Sequence, residues 1–272
     1  MKNSYIIALV IGSCIITFIA SVIFAMNMVT ITPKQLAKVV KKDPKTFFMA
    51  LEESHKDFQK VKAESEQKEA VKALEEQFKN PLKIKTKGRV TFGNKKAPVT
   101  IVKFSDFQCT YCARAAKSMS ALRDKYDGKV NLVYKNFPLS FHPFAKPAAE
   151  YFEAVALVDD DKARQFHDEI FENFDDYARL QDKESIDKAI KKILKKLNLS
   201  TKKVNKKLDK AKKVVQADMD EAMKLGVRGT PSFFVNGVDA KNIGIEQIIT
   251  RVLDNDDNND DEDEEDDDSE DT

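Results

Sequence analysis

The stretch PVTIVKFSDFQCTYC, from Pro98 to Cys112, decides the fold of this chain. Its first part, up to Ser105, is mostly apolar and predicts a buried strand. The residues after the second cysteine, from Ala113 to Leu122, are rich in alanine and predict a helix. The two cysteines therefore stand between a strand and a helix, and we expect Cys109 at the N-terminus of that helix.

A cysteine in that position is expected to carry a reactive thiolate. Unpaired backbone N–H groups and the helix dipole favour an anion there, and they can lower a cysteine pKa from about 8.5 into the range of about 3.5–7.5. A thiolate attacks disulfides, and a second thiol one turn later can resolve the mixed disulfide. The pattern predicts Cys109 as the nucleophile and Cys112 as the resolving thiol.

A C-x-x-C pair also occurs in zinc sites, which need four ligands. Besides the pair, the chain offers only Cys14 and three histidines. Cys14 lies in the apolar N-terminus, out of reach of the pair. The available side chains favour a redox pair over zinc, and we expect no metal or organic cofactor.

A second motif lies far downstream, where a turn and a Thr-Pro step precede a short β-rich run. It reads RGTPSFFVNG, from Arg228 to Gly237. Together with residues 97–112, with NFPL from Asn136 and with FHP from Phe141, it resembles the DsbA-like thiol-disulfide oxidoreductases of the thioredoxin superfamily. The resemblance covers about residues 89–253.

This resemblance implies an α/β, thioredoxin-like fold in residues 89–254, with an all-helical insertion at 143–226. It implies that the C-x-x-C pair forms the redox-active disulfide. It also implies that the Thr230–Pro231 peptide is cis and lies against the pair, so that both residues form a shelf for the substrate chain. Exported proteins with cysteine pairs would be the substrates. A membrane redox partner, either a quinone-linked oxidase or a thiol reductase, would reset the pair.

Three residues near the pair are expected to tune it. Thr110 stands where many relatives have proline, and with Tyr111 it should help to set the redox potential. Lys103 stands where relatives often hold an acid that handles the proton of the second cysteine. A buried lysine is costly unless it is neutralised or paired, so we expect it to snorkel or to pair with Asp106. His142 is expected to structure its loop.

Residues 1–29 predict a transmembrane anchor or signal segment. No charge occurs between Lys2 and Lys34, and about 20 apolar residues span a bilayer. A poor cleavage site at Ile23–Ala25 favours an uncleaved anchor. The lysines after the span would place the body in the cytoplasm by the positive-inside rule, but a redox domain of this kind belongs to an oxidising compartment. We therefore expect an inner-membrane anchor with the catalytic domain in the periplasm or at the cell exterior.

Residues 30–88 predict a helical stalk that is rich in lysine and glutamate. Pro44 should begin its longer helix, and Asn80–Pro81 should end it. Apolar residues at near-helical spacing form a partial seam. Two interpretations stay open, namely a solvated spacer and a segment through which copies of the chain form a homo-oligomer.

The rest of the domain predicts further strands at Val130–Lys135 and Phe233–Val235, the latter followed by an Asn-Gly hairpin turn. Helical periodicity fills the insertion, where Ser200 is a candidate N-cap. The region 188–213 is dense in lysine, but it contains no arginine or aromatic side chain that could read nucleic acid. We therefore expect a solvated face and no nucleic-acid partner. Ile245–Leu253 predicts the closing helix.

Charge is unevenly distributed in a chain whose net charge is only +1. Residues 255–272 contain 13 acidic side chains and no basic one, so this tail is predicted to be disordered. It could keep the protein soluble, bind calcium weakly or dock on the lysine-rich helices.

The sequence as a whole predicts an extracytoplasmic oxidoreductase that forms, reduces or isomerises disulfides in exported proteins. Isomerase or reductase activity would be favoured if the stalk brought several sites together. A redox-inactive peptide-binding or chaperone module that uses the same shelf is the alternative. The intact C-x-x-C pair argues against it.

Overall fold

The structure is a computed structural model that describes residues 32–241 and 243–260. The predicted anchor at 1–29, Cys14 and residues 261–272 of the acidic tail lie outside the described residues. Within the described part of the chain, no helix is both long enough and apolar enough to cross a membrane. The chain divides after Glu69 into two compact units.

Two helices follow the start of the described chain, α1 at Pro33–Lys42 and α2 at Pro44–Lys79. Thr32 caps α1, since its hydroxyl accepts from the Gln35 N–H while the Gln35 side chain accepts from the Thr32 N–H. The predicted start of α2 at Pro44 and its end before Asn80 are confirmed. The first unit leaves several large apolar side chains exposed, namely Leu36, Val39, Phe48, Met49, Leu51, Phe58 and Val61.

The second unit is built on a five-stranded mixed sheet of order β1-β3-β2-β4-β5. The strands are β1 at Thr91–Phe92, β2 at Val99–Ser105, β3 at Val130–Asn136, β4 at Ser232–Val235 and β5 at Val238–Asp239. Only β2 and β3 run parallel, and the other neighbours are antiparallel. The predicted α/β class and the three predicted strands are confirmed. The sequence analysis missed β1 and β5.

Strand β2 is covered on both faces, which explains why its sequence is almost continuously apolar. Val102 and Phe104 pack in a small cluster with Phe234 of β4. The opposite face carries Ile101 and belongs to the main core. The C-x-x-C pair lies in that main core, so it is held by the largest packed region of the unit.

Helices cover both faces of the sheet. Helix α3, at Thr110–Lys125, follows β2 directly. The predicted all-helical insertion is confirmed, and it consists of α4 at Ala145–Ala156, α5 at Asp160–Glu172, α6 at Phe174–Tyr177, α7 at Lys183–Lys196, α8 at Thr201–Asn205 and α9 at Leu208–Lys224. Ser200 caps α8 as predicted. All twelve lysines between positions 188 and 213 are exposed, so the expected solvated face is also confirmed.

The closing helix α10 runs from Ile245 to Asp260, seven residues beyond the predicted end at Leu253. The predicted disorder of the acidic tail stays a prediction. No glycine or proline interrupts this stretch, so the helix that begins in the apolar segment can propagate into the acidic one.

The boundary of the stalk also differs from the prediction. The sequence analysis assigned residues 30–88 to it, but the structure joins residues from Ala70 onward to the second unit. Phe78 packs against the main core, and the Gln77 side-chain oxygen accepts from the Asp239 N–H at 2.8 Å. The Leu82 N–H donates to the Gly237 carbonyl at 3.0 Å. The periodicity of a long helix does not reveal which of its turns packs against a neighbouring core.

A buried charge network holds the insertion on the sheet. Asp218 of α9 pairs with Arg89 at 2.8 Å and with Lys135 of β3 at 3.1 Å. Lys135 also pairs with Glu221. Glu153 of α4 accepts from the Asn136 amide at 2.7 Å. Burial raises the pKa of Glu153 to about 7, and the neighbouring Asp218 carboxylate adds to this effect.

Candidate active site

Cys109 occupies the N-cap of α3, as the sequence predicts. Its N–H donates to the Asp106 carbonyl, and its own carbonyl accepts from the Ala113 N–H. The Cys109 sulfur lies 3.4 Å from the carbonyl oxygen of Thr230. The residue is only 5% exposed.

The environment of Cys109 strongly favours the thiolate. The Cys112 thiol donates a hydrogen bond to it, burial opposes the charge, and the backbone N–H groups of Cys112 and Tyr111 add to the stabilisation. Together they lower the pKa of Cys109 to about 5. This sulfur is therefore ionised at neutral pH.

Cys112 has the opposite character. It is fully buried, and its sulfur accepts from the Asp106 N–H at 3.4 Å. Burial raises its pKa well above the ordinary value, and the hydrogen bond that it donates to Cys109 acts in the same direction. Both thiols are free. The pair thus holds one ionised sulfur beside one protonated sulfur.

The Thr230–Pro231 peptide bond is cis, which confirms the prediction from the resemblance. It leads into β4 and lies against Cys109 through the Thr230 carbonyl. A cavity of about 420 Å³ adjoins it, lined by residues 225–234 and 239–241. Both residues of the cis peptide are half-buried, so their backbone is accessible from this cavity.

Thr110 and Tyr111 lie on the exposed first turn of α3. The Tyr111 ring is 66% exposed, and the Arg114 guanidinium lies 5.5 Å from its centroid. The tuning role that the sequence analysis assigned to both residues stays a prediction. Their position places an apolar ring and a cation at the mouth of the site.

Lys103 neither snorkels nor pairs with Asp106, so both expectations for this residue are wrong. Its side chain is fully buried, and its Nζ donates to the Cys112 carbonyl at 3.2 Å. Burial lowers its pKa to about 8, while negative charge on the cysteine pair acts against that effect. The side chain points into the main core on the same face of β2 as the thiols.

The Asp106 carboxylate organises the loop between β2 and α3. It accepts from the N–H groups of Gln108 and Leu139 at 2.6 and 2.8 Å, and it pairs with His142 Nδ1 at 2.8 Å. The expected loop-structuring role of His142 agrees with this contact. Because the Asp106 N–H also contacts the Cys112 sulfur, the carboxylate fixes a loop that touches the pair directly.

Gln108 is a positioning residue that sequence reasoning missed. Its amide nitrogen donates to the carbonyls of Ala178 and Leu180 at 3.0 and 2.9 Å. Its amide oxygen accepts from the Phe144 N–H at 2.7 Å. These contacts tie the residue before Cys109 to both ends of the first half of the insertion. No local pattern in the sequence announces partners that lie so far along the chain.

Within the residues that the structure describes, no group of three or more His, Cys, Asp or Glu side chains is placed to hold a metal ion.

Comparison with known proteins shows the following similarities. A family model described as "Thioredoxin" matches residues 85–255. The chain is 32% identical over 151 residues to the probable disulfide bond formation protein D of Bacillus cereus, and the match covers 54% of this chain and 69% of that protein. It is also 42% identical over 65 residues to the Na(+)/H(+) antiporter NhaA 3 of Salinispora tropica. The chain spans about a tenth of the length of that antiporter.

Two solved structures share the fold. BdbD from Bacillus subtilis, in its oxidised form, superposes with a TM-score of 0.55 at 24% identity, covering 64% of this chain and 97% of that chain. The α-DsbA1 protein of Wolbachia pipientis superposes with a TM-score of 0.51 at 20% identity, covering 64% of this chain and 92% of that chain. At these identities the similarity concerns the fold alone.

Proposed function

Because the chain belongs to the thioredoxin family, we propose that it is a thiol-disulfide oxidoreductase that forms disulfides in exported proteins. The observation that carries this proposal is the difference between its two thiols. The pKa of Cys109 is lowered to about 5, whereas burial raises that of Cys112. One attacking sulfur and one resolving sulfur are what a dithiol exchange needs.

In the oxidising direction the reaction runs through two exchanges. A client thiolate attacks Cys109 in the Cys109–Cys112 disulfide, the bond between the two cysteines breaks, and Cys112 leaves and takes a proton. A second client thiolate then attacks the client sulfur that is bonded to Cys109, and Cys109 leaves as a thiolate. The client loses two electrons and the pair gains them. A thiol with a low pKa leaves more readily, so the Cys109 environment favours release of the oxidised client.

Substrate binding is assigned to the cis-peptide region. The cavity beside Thr230 and Pro231 offers backbone groups next to the Cys109 sulfur. The exposed ring of Tyr111 adds apolar surface at the mouth. An extended client segment with a cysteine could lie along the Thr230–Pro231 backbone while its sulfur meets Cys109. A redox-inactive peptide-binding module would use the same surface.

The location and the redox partner follow from the same reasoning. The uncharged segment between Lys2 and Lys34 supports an inner-membrane anchor, with the catalytic domain in the periplasm or at the cell exterior. A quinone-linked membrane oxidase would reoxidise the pair after each client is oxidised, whereas a thiol reductase would reset it only if the chain reduced or isomerised disulfides. Protease accessibility in spheroplasts tests the orientation.

Association of copies through the first unit is supported by its exposed apolar side chains. Phe58→Glu is expected to lower the mass that light scattering measures for the full chain, because it places a charge among these exposed apolar side chains. Gln59→Glu adds the same charge one position away and is the matched control. If the unaltered chain is already a monomer, the segment is a spacer.

A trapping experiment tests the function. Cys112→Ser should accumulate mixed disulfides with an oxidised client, because the attacking thiol remains and the resolving thiol is lost. Cys109→Ser should accumulate none. The reverse pattern would refute the assigned roles. A variant that carries both Cys109→Ser and Cys112→Ser tests the chaperone alternative. If it still protects a cysteine-free peptide from aggregation as well as the native chain does, that alternative is favoured.

A further inference from the structure

Lys103 is buried beside the thiol pair without a carboxylate opposite it. Its Nζ lies 3.2 Å from the Cys112 carbonyl, and among the described residues its ammonium is within 4.0 Å of no carboxylate. Lys135 on the neighbouring strand is equally buried, but it is paired with Asp218 and Glu221. Lys103 therefore lacks the compensation that a buried ammonium normally has.

The side chains that pack around Lys103 carry no opposite charge, although two of them place aromatic rings near its ammonium. Phe171 of α5 and Tyr134 of β3 place their ring centroids 5.0 and 6.0 Å from its Nζ, and Phe233 of β4 is its partner in the sheet. Burial raises the pKa of Tyr134, so its hydroxyl stays neutral. His167 of α5 is also neutral, because burial lowers its pKa to about 4.

The nearby buried carboxylates are engaged elsewhere. Asp106 is bound by His142 and by two backbone N–H groups. Glu153 accepts from Asn136 and lies by the charge network of α9. The anion that acts on Lys103 is the negative charge of the cysteine pair. That charge exists only when the pair is reduced.

We propose that Lys103 gains a proton when the Cys109–Cys112 pair is reduced and loses it when the disulfide forms. The inference rests on the proposed function, since it requires that the pair cycles between dithiol and disulfide. A disulfide carries no charge, so an ammonium beside it would be buried without compensation, and a neutral amine is favoured. A thiolate at Cys109 supplies part of the missing compensation and favours the proton on the amine.

The acid–base properties of the site agree with this coupling. In the dithiol form, burial lowers the pKa of Lys103 to about 8, and negative charge on the cysteine pair raises it against that effect. Cys109 is the member of the pair that carries this charge. Formation of the disulfide removes the charge and leaves the burial in place. The pKa of Lys103 must then be lower in the oxidised protein. Over the interval between the two values, the two redox forms differ by one proton on this amine.

The exchange balances without a proton from solvent. Before it, the protein holds a disulfide and a neutral Lys103 amine, and the client holds two thiols. Afterwards the client holds a disulfide, and the two electrons have broken the Cys109–Cys112 bond. One client proton is on the Cys112 sulfur, the other is on Lys103, and Cys109 is a thiolate. Lys103 is therefore a positioning residue. It holds the second proton beside the charge of the pair.

Redox titration of the full chain against a glutathione buffer, from about pH 6 to about pH 9, tests the proposal. The pH dependence of the glutathione couple, which itself takes up two protons with two electrons, is subtracted first. Each proton that the protein takes up with its two electrons then changes the corrected equilibrium constant about tenfold per pH unit, which is about 30 mV. The native chain is expected to show a change of about a hundredfold per pH unit over an interval that ends near pH 8, and about tenfold above it. Lys103→Met is expected to show about tenfold throughout.

Lys117→Met is the matched control, because it removes an exposed lysine of α3 and should keep the native steep interval. A native chain with about one proton per two electrons throughout would overturn the proposal. So would a Lys103→Met variant that keeps the steep interval. If no reversible two-electron equilibrium is seen at all, the proposed function fails instead.

A second measurement does not depend on whether the variant folds. The Lys103 side chain, isotope-labelled in the native protein, can be titrated by NMR in the oxidised and the reduced forms. A lower midpoint in the oxidised form is expected. The same midpoint in both forms would overturn the proposal.

Discussion

The hydrogen bond from the Cys112 thiol is the largest of the effects that lower the pKa of Cys109. Replacing Cys112 by alanine removes it and leaves the backbone N–H groups of the helix start. A hydrogen bond to a charged group contributes about 1.5–3 kcal/mol, which corresponds to about 1–2 pKa units. The pKa of Cys109 should therefore rise from about 5 to about 6–7 in the Cys112→Ala variant.

The pH dependence of alkylation by iodoacetamide, followed on the peptide that contains Cys109, measures this shift. At about pH 5 the thiolate fraction should fall from about one half to between about 1 and 10%, so the rate falls about 5- to 50-fold. At about pH 8 the rate should barely change, since the sulfur is ionised in both proteins.

Cys112→Ser is the matched comparison, because its hydroxyl can still donate to the Cys109 sulfur. Its midpoint should lie between those of the native chain and Cys112→Ala. An alanine variant whose midpoint equals the native one would refute the reasoning. The low pKa would then arise from the helix N-terminus alone.

Three further predictions concern stability in urea denaturation. Glu153→Gln should raise the free energy of unfolding by up to about 3 kcal/mol at about pH 8.5 and by little near pH 5. The pKa of Glu153 in the folded protein is about 7, so the native protein loses stability as the pH rises through that value. An equal gain at both pH values would contradict this. Lys103→Met should raise the free energy of unfolding of the reduced protein by about 2–3 kcal/mol at about pH 7. The gain should shrink above the Lys103 pKa of about 8, because the amine of the folded protein is already neutral there. A loss of stability would show that the buried ammonium is compensated. Gly237→Ala should lower the free energy of unfolding by about 2 kcal/mol or more, because its φ is +85° and a Cβ would overlap the Leu82 carbonyl oxygen. Gly128→Ala, with a φ of +73° and open space around it, is the control for backbone strain alone, and equal costs would rule out the contact.

Much of the fold could be predicted because its signals are local. The apolar run before the cysteines gave β2 within a residue, and the alanine-rich stretch after them gave α3. Asn236 and Gly237 both adopt positive φ in the predicted hairpin turn. Strands β1 and β5 were missed because each has only two residues, which is too short for any alternation to show.

The surroundings of the site could not be predicted in the same way. The side chains that surround Lys103 come from distant parts of the chain, such as Phe171 of α5 and Phe233 of β4. The same holds for Asp106, whose expected partner was Lys103 and whose actual partner is His142. Local sequence shows that a charged side chain lies on a buried strand, but it does not show which side chains from distant helices lie opposite it.

The contacts of Gln108 have a consequence for exchanging modules among proteins of this family. Its side-chain amide forms hydrogen bonds with three backbone groups of the insertion, at Phe144, Ala178 and Leu180. An insertion transplanted from a relative would have to offer one N–H and two carbonyls at the same places, or the side chain would be left with buried, unsatisfied polar atoms. Because Cys109 is the next residue, such a mismatch would shift the start of the catalytic helix. The insertion and the dipeptide Gln108–Cys109 are therefore best exchanged as a single cassette.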